Sequence, residues 1–218
     1  SKKALHYFLK VNYIPSPLSI YENIYKLEPG TFFEIDRSVK DISQINFNKF
    51  WTLEKVVKDG KNNTILQESL YLDELENRLT NSVKSQMLSD VPLGSFLSGG
   101  IDSSVICALM QKENIKPIKT FTVGFKDKSF DESSYAKKVA NILSTDHFEL
   151  AISEKETQDV ISYLPNIYDE PFADSSQIPT YLICKAAKQN VKVALSGDGG
   201  DEIFGGYLYF HKAPNDKE

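Results

Sequence analysis

The sequence predicts an α/β protein with a parallel sheet, because short apolar segments alternate with helical patterns from residue 93 onwards. The apolar segments are residues 93–97, 118–123, 147–152 and 191–195, and the helical patterns are residues 103–112, 132–143, 154–164 and 178–189. Strands joined through helices are typical of right-handed βαβ crossovers, in which the strands run parallel. We therefore expect a parallel sheet with helices on both faces and ligand-binding loops gathered along one edge.

The part of the chain before this alternation is less regular. Residues 1–45 contain an aromatic run, a Pro-Ser-Pro break and a β-rich stretch, which predict short strands and turns. Residues 46–65 are polar and lack periodicity, as in a linker or exposed loop. From residue 66, apolar residues recur at three- and four-residue steps, which predicts an amphipathic helix ending before Pro92. The predicted division is a β-rich segment at 1–45, a linker at 46–65 and the α/β region at 66–218.

Composition excludes several classes of protein. The chain has 218 residues, 41% of them apolar and 25% charged, which is typical of a soluble globular protein. Its net charge of −5 gives no general attraction for nucleic acid or anionic lipid. The two cysteines form no CxxC pair, the three histidines share no ligand spacing, and no apolar run approaches the ~20 residues of a membrane span. We expect a cytoplasmic protein with no nucleic-acid and no membrane partner.

The loop after the first predicted strand has the residues of an anion site. It reads Ser-Gly-Gly-Ile-Asp-Ser-Ser at residues 98–104. The glycines allow a tight turn, and the following helix begins with unpaired N–H groups that attract anions. The alternative is an ordinary turn in which Asp102 or Ser103 caps the helix. The loop lacks the Gly-Lys-Ser/Thr of a P-loop and the third glycine of a Rossmann fingerprint, which disfavours GTPase-type hydrolysis and hydride transfer.

The loop after the last predicted strand is acidic. It reads Ser-Gly-Asp-Gly-Gly-Asp-Glu at residues 196–202. These carboxylates would repel a bare phosphate, so they suit a phosphate site mainly when a metal ion stands between. Asp102 and Asp201 come from different strand-end loops and could bracket one Mg²⁺ or two. The alternative is ordinary turn chemistry, with Asp201 and Glu202 as a charge pair at a helix N-terminus.

Two further segments are interpreted first as ordinary structural elements without a role in binding. Residues 121–125, Phe-Thr-Val-Gly-Phe, read as a buried strand, although an apolar edge there could receive an adenine ring. Residues 168–176 read as a solvated acidic turn, with Asp174 or Ser175 capping the next helix.

Five strings together resemble the synthetase domain of the glutamine-hydrolysing asparagine synthetase family, which has the ATP-pyrophosphatase (PP-loop) fold. They are FLSGGIDSS (96–104), FTVGF (121–125), FDESSYAKKVA (130–140), DEPFADSSQIPTYL (169–182) and VALSGDGGDEIFGGY (193–207). They occur in the family's order and span most of residues 66–210. The β-rich start of the chain resembles the closing strands of the family's N-terminal glutaminase domain.

The resemblance implies an ATP site and a reaction. The residues implied to hold the pyrophosphate of ATP are Ser98, Gly99, Gly100, Asp102, Ser103 and Ser104, and those implied to contact the nucleoside are Leu97, Val123, Ser196 and Gly197. Asp102 and Asp201 would bind Mg²⁺ and act in catalysis. A substrate carboxylate, with aspartate the leading candidate, would attack the α-phosphorus to form an acyl-adenylate. Ammonia from glutamine would then displace AMP, in a full-length enzyme that could be a homodimer.

The sequence also departs from the family pattern. The family's glutaminase nucleophile is an N-terminal cysteine, whereas this chain begins with Ser1 and has no cysteine before Cys107. The family's synthetase domain continues beyond the equivalent of Glu218 and supplies a lysine there. We therefore expect an internal fragment, with a glutaminase remnant at 1–45, that binds ATP weakly at most and synthesises nothing.

The sequence leaves alternatives open for the carboxylate substrate and for the class of reaction. Some aspartate-using relatives carry an arginine for the α-carboxylate before the helix at 178–189, but no Lys or Arg lies between Tyr163 and Lys185. The alternatives are an amidotransferase acting on a sugar carboxylate in surface polysaccharide synthesis, an amine-using or lactam-forming PP-loop synthetase, and a non-catalytic nucleotide-binding domain. PP-loop enzymes acting on tRNA are disfavoured, because the chain lacks a basic surface and a cysteine cluster.

Overall fold

The computed structural model describes residues 1–65, 67–125 and 131–212, which form two compact units. The first unit comprises Ser1–Tyr71 and Ser162–Ser175, and the second comprises Leu72–Ile161 and Ser176–Glu218. Three predicted features reach outside the described residues: the helix start at Leu66, the Phe130 end of one motif and the end of the α/β region at 213–218. The predicted domain boundaries stay a prediction.

Helices and strands follow in a fixed order along the chain. The helices are α1 (Lys2–Val11), α2 (Leu53–Asn62), α3 (Glu68–Gln86), α4 (Ile101–Lys112), α5 (Ser133–Leu143), α6 (Glu154–Ile161), α7 (Leu164–Ile167), α8 (Gln177–Ala187), α9 (Gly200–Phe204) and α10 (Leu208–Lys212). The strands are β1 (Thr31–Phe32), β2 (Asn48–Lys49), β3 (Leu93–Phe96), β4 (Lys119–Phe125), β5 (Asp146–Ile152) and β6 (Val193–Leu195). A single 3-10 turn is described at Ile42–Gln44. None of the helices in the described part of the chain has both the length and the apolar character of a membrane span.

The aromatic run near the start is a helix, so the prediction of strands there is wrong. The Ser1 hydroxyl accepts a hydrogen bond from the Ala4 N–H, which caps α1 at its start. Asn12 adopts a left-handed conformation and its N–H donates to the Phe8 carbonyl, which closes the helix. Aromatic residues favour strands only weakly, and the two caps that flank this ten-residue helix outweigh that preference.

Part of the predicted linker is also helical. Thr52 accepts a hydrogen bond from the Lys55 N–H and caps α2, which runs through residues predicted as loop. All residues of α2 are described and none is buried, so the predicted exposure holds although the predicted loop does not. The Thr52 cap satisfies an N–H group that the helix itself leaves unpaired, so the helix can begin at this point of the surface. In the same unit β1 and β2 pair antiparallel.

The second unit contains the predicted parallel sheet. Its four strands lie in the order β5–β4–β3–β6, and all three neighbouring pairs are parallel. Helices α3, α4, α5 and α8 begin and end within a few residues of the predicted bounds. The helix predicted over 154–164 is divided into α6 and α7, because Pro165 at the start of α7 cannot continue a preceding helix. The α/β fold with a parallel sheet is confirmed.

Helices cover both faces of this sheet. On one face Ser95 and Cys107 are fully buried, and the Cys107 thiol lies 3.3 Å from the Ser95 hydroxyl, so α4 packs there. Burial raises the pKa of Cys107 to about 11, which makes this thiol an inert core group. On the opposite face Phe121 packs with Ala187, the last residue of α8, and with Val191 in the segment that follows. The prediction of helices on both faces is therefore correct.

The strand order determines where a ligand can bind. The chain passes from β3 to β4 to β5 in one direction, and β6 then pairs with the other side of β3. In open parallel sheets, ligands bind outside the carboxyl ends of the strands at the point where the order reverses. Here that point lies between the loops that follow β3 and β6, at residues 97–100 and 196–199.

A half-buried histidine makes the stability of the second unit depend on pH. His147 pairs with Thr120 in the sheet, and its Nδ1 lies 2.9 Å from the Thr120 hydroxyl. Its Nε2 is buried and has no hydrogen-bond partner among the described residues. Burial lowers the pKa of His147; the Lys137 charge acts in the same direction and the Glu149 charge opposes it. The folded state therefore prefers neutral imidazole.

We expect the free energy of unfolding to decrease as the pH falls below 6.5, the ordinary histidine pKa, because protonation then favours the unfolded chain. His147→Gln should flatten this dependence, measured as urea midpoints across the pH range. His6→Gln, on the exposed surface of α1, is the control and should keep the wild-type slope. An unchanged slope in His147→Gln would contradict the prediction.

Candidate active site

A cavity of about 330 Å³ lies at the carboxyl ends of the strands and is lined by both predicted loops. Its lining residues are Phe96, Ser98, Asp102, Ser103, Val123, Pro179, Thr180, Ile183, Ser196, Gly197, Asp198 and Asp201. Seven of the residues predicted for the site are in this set. A volume of this size is within the usual range for small-molecule sites.

Glycine is required at the first loop by geometry. Gly99 has a φ of +86°, and a Cβ at this position would lie 2.6 Å from the Ala136 N and 2.7 Å from the Tyr135 carbonyl carbon. The loop after β3 is therefore packed directly against the first turn of α5. Gly100 is the N-cap residue of α4 and makes no side-chain cap hydrogen bond.

The serines of the first loop bond to each other. The hydroxyls of Ser98 and Ser103 are 2.9 Å apart, and the Ser103 hydroxyl accepts a hydrogen bond from the Ser98 N–H at 3.2 Å. The N-cap residue of α4 is Gly100, so the alternative in which Asp102 or Ser103 caps this helix is wrong. The Ser104 hydroxyl in the same turn is buried and unpartnered among the described residues. The uncapped N–H groups at this helix start suit an anion with several oxygen atoms.

The two loops touch through glycines. A Cβ on Gly197 would lie 2.7 Å from the Ser103 N, and one on Gly200 would lie 2.5 Å from the Asp102 carboxyl carbon. The loop after β6 therefore packs against the start of α4, and at Gly197 the nearest atoms are backbone atoms that leave no room for a side chain. As a result Asp102 and Asp201, 99 positions apart in the sequence, line the same cavity.

The carboxylates fit a cation that is bound together with phosphates. Mg²⁺ is usually held by one or two carboxylates plus substrate phosphate oxygens and waters. Asp102 and Asp201 would supply two such ligands. Within the described ranges, no group of three His, Cys, Asp or Glu side chains is arranged to hold a metal ion alone. The donor set fits a magnesium ion that is bound together with a phosphate-bearing ligand.

Four of the predicted site residues lie outside the cavity lining. Leu97 is 1% exposed and packs in the core beside Cys107, so its backbone alone is left to contact a ligand. Gly99 and Gly100 form the turn before α4 and Ser104 lies in the first turn of that helix, and none of the three is in the lining.

The structure adds lining residues that sequence reasoning missed. Pro179, Thr180 and Ile183 lie on one face of α8 and contribute an apolar wall beside Val123. Their i, i+1, i+4 spacing is the signal that could have indicated a common face. Asp198 also lines the cavity and accepts a hydrogen bond from the Ser196 hydroxyl at 2.9 Å. Burial and, to a lesser degree, the charge of Asp198 raise the pKa of Cys184 on α8.

The acidic segment at 168–176 is mostly exposed, as predicted, but Glu170 and the helix cap differ from the prediction. Glu170 forms an ion pair with Lys26 and accepts a hydrogen bond from the Ile20 N–H, both within the first unit. The N-cap residue of α8 is Ser176, not Asp174 or Ser175. The carboxylate of Glu170 therefore has a structural role. Its cationic partner and its N–H partner offset the cost of removing the charge from water.

Two cavities of about 570 Å³ are larger than the candidate site. One lies in the first unit and is lined mainly by apolar side chains such as Tyr25, Phe33 and Phe47. The other lies between α3, α4 and α9 and shares Asp102 and the loop after β6 with the candidate site. We assign the site to the smaller cavity because the carboxylates, the serines and Val123 meet only there among the three.

Comparison with known proteins identifies the family. The family model described as asparagine synthase matches residues 74–218. The chain belongs to the asparagine synthase family. It is 38% identical over 211 residues to a putative asparagine synthetase [glutamine-hydrolyzing] 2 from Methanocaldococcus jannaschii, covering 95% of this chain and 39% of that protein.

Two bacterial relatives give the same result. The chain is 38% identical over 215 residues to asparagine synthetase [glutamine-hydrolyzing] 1 from Bacillus subtilis, covering 97% of this chain and 32% of that protein. It is 40% identical over 163 residues to asparagine synthetase B [glutamine-hydrolyzing] from Escherichia coli, covering 67% of this chain and 29% of that protein. The chain thus spans between 29% and 39% of the length of these three curated relatives.

Among solved structures, the chain is similar to NMN synthetase from Francisella tularensis. The match has a TM-score of 0.45 and 19% sequence identity, and it covers 62% of this chain and 58% of that one.

Proposed function

We propose that this chain provides the ATP-binding part of an enzyme that amidates a carboxylate, with aspartate as the leading substrate and asparagine as the product. A carboxylate oxygen attacks the α-phosphorus of ATP, and the bond to the departing pyrophosphate breaks, which gives an acyl-adenylate. Ammonia derived from glutamine then attacks the acyl carbon and displaces AMP, leaving the amide. Family membership supports this class of reaction.

The observation that carries the proposal is the contact between the loops after β3 and β6 at the point where the strand order reverses. There the uncapped start of α4 meets a cavity whose lining includes three serines and three carboxylates, Asp102 and Asp201 among them. N–H groups and hydroxyls bind phosphate oxygens directly, whereas carboxylates require a cation between. The combination suits a polyphosphate bound with magnesium better than it suits either ion alone.

Each part of the cavity has a role in this proposal. Ser98, Ser103 and the first N–H groups of α4 would donate hydrogen bonds to the phosphate oxygens. Val123 and Ile183 would contact the adenine, since they form the apolar side of the cavity. Asp102 and Asp201 would hold Mg²⁺, which supplies positive charge where negative charge develops on the departing pyrophosphate.

The domain assignment belongs to the same proposal. Residues 1–45 would be the end of a glutamine amidotransferase domain, residues 46–65 a linker and residues 66–218 the front of the synthetase domain. The resemblance of the Lys26–Ile35 segment to that domain's closing strands supports the first assignment.

A sugar carboxylate is the second candidate acceptor. It is favoured by one observation, the lack of Lys and Arg between Tyr163 and Lys185. An aspartate α-carboxylate is usually recognised by a bidentate arginine, and this segment of the sequence offers none.

A screen of pyrophosphate exchange identifies the acceptor. We expect the full-length enzyme to exchange labelled pyrophosphate into ATP when aspartate is added, because adenylation of the correct carboxylate is reversible. Uronic acids should support little exchange. Exchange with a uronic acid and none with aspartate would favour the sugar amidotransferase, and MgATP binding without exchange for either would favour a non-catalytic nucleotide-binding domain.

A further inference from the structure

The turn that follows α9 folds back onto the first turn of that helix. Gly205 has a φ of +70° and ends the helix. The N–H of Gly206 then donates a hydrogen bond to the Asp201 carbonyl at 3.0 Å. The hydroxyl of Tyr207 donates to the Glu202 carboxylate at 2.8 Å. Three consecutive residues thus close on the two acidic residues of α9.

Gly206 lies directly against the carboxylate of Asp201. A Cβ at Gly206 would overlap the Asp201 Oδ1, would lie 2.9 Å from its Cγ and would approach the Asp201 Cα to 3.2 Å. Gly206 has no positive φ, so its backbone conformation is open to any residue. What requires glycine here is the room that the Asp201 side chain occupies.

The carboxylate of the next residue, Glu202, has a different environment from that of Asp201. Glu202 is exposed and is held by the Tyr207 hydroxyl, and it does not line the candidate cavity. Asp201 does line it. The turn therefore separates two adjacent carboxylates, one facing the cavity and the other tied to a tyrosine outside it.

We infer that Gly206 is a positioning residue, which lets the Asp201 carboxylate face the cavity and bind a divalent cation that accompanies the nucleotide. This inference rests on the proposed function. A side chain at residue 206 displaces the Asp201 carboxylate from its present rotamer, because the overlap is with the end of that side chain. The cation then loses one of its two carboxylate ligands.

The test compares two glycines of the same turn. Gly206→Ala should weaken Mn²⁺ binding in the presence of ATP by about tenfold or more, measured from the paramagnetic resonance signal of free Mn²⁺ in titrations of the full-length protein. Gly205→Ala is the matched control, because a Cβ there meets nothing within 4 Å. It strains the backbone and should change Mn²⁺ affinity by less than about twofold.

A double-mutant cycle separates positioning from general damage. In an Asp201→Ala background, Gly206→Ala should produce no further loss of Mn²⁺ affinity, since the group that it displaces is already gone. Equal losses with and without Asp201 would show that Gly206 acts on the fold alone and would overturn the inference while the ATP site stands. Mn²⁺ affinity that survives both Asp102→Ala and Asp201→Ala would overturn the proposed cation site, and the inference with it.

Discussion

Replacing Asp102 with alanine is expected to abolish exchange of pyrophosphate into ATP by the full-length enzyme. Asp102 lies in the first turn of α4, lines the candidate cavity and packs against Gly200 of the opposite loop. Its carboxylate is one of only two proposed ligands for Mg²⁺. Loss of one preorganised group that stabilises developing charge usually lowers the rate by roughly 100-fold to 1000-fold.

Two further variants separate charge from packing. Asp102→Asn keeps the shape that fits against Gly200 but removes the charge, so we expect a loss of exchange close to that of Asp102→Ala. Asp90→Ala, in an exposed position before β3, should exchange at the wild-type rate. Near wild-type exchange by Asp102→Ala would show that the metal assignment is wrong.

Replacing Gly99 with alanine is expected to lower the free energy of unfolding by about 3 kcal/mol. Two costs add at this position. A residue with a Cβ is strained at a φ of +86°, and that Cβ would collide with the backbone of Tyr135 and Ala136 at the start of α5. Backbone atoms of a packed helix cannot rotate out of the way, so the loop or the helix must shift. Urea unfolding monitored by circular dichroism measures the loss.

Gly199→Ala isolates the first of these costs. Gly199 has a similar φ of +90°, but a Cβ there meets nothing within 4 Å. We expect this variant to lose only about 1 kcal/mol, the cost of the strained backbone. Equal losses in the two variants would contradict the role given to the contact between the first loop and α5.

The parallel sheet was predictable because its strands are marked by local sequence. Apolar segments such as residues 118–123 are bounded by turn residues and separated by amphipathic helices, and the described β4 runs over Lys119–Phe125. Where the hydrophobic pattern was weaker, local capping residues decided that a helix forms. Ser1 and Asn12 make a helix of an aromatic run, and Thr52 begins one inside the predicted linker.

The type of ligand that the candidate site suits was predictable from the sequence, but only some of the residues that line it were. Glycines and serines directly after a strand indicated an anion site, and Asp102 and Asp201 do line one cavity. The same pattern did not indicate Thr180 or Ile183, because the face that α8 presents depends on how that helix packs on β4.

The amino-acid sequence by itself determined the alternation of strands and helices, the two glycine-rich loops and the family, since each is encoded in short runs of adjacent residues. Only the tertiary structure decided that β6 pairs with β3, and hence which loops meet. It also decided which carboxylate of the Asp201–Glu202 pair faces the cavity. The physical reason is that these outcomes depend on close contacts between backbone and side chains in different segments. Gly197 lies against Ser103 and Gly206 against Asp201, and no local propensity specifies either contact.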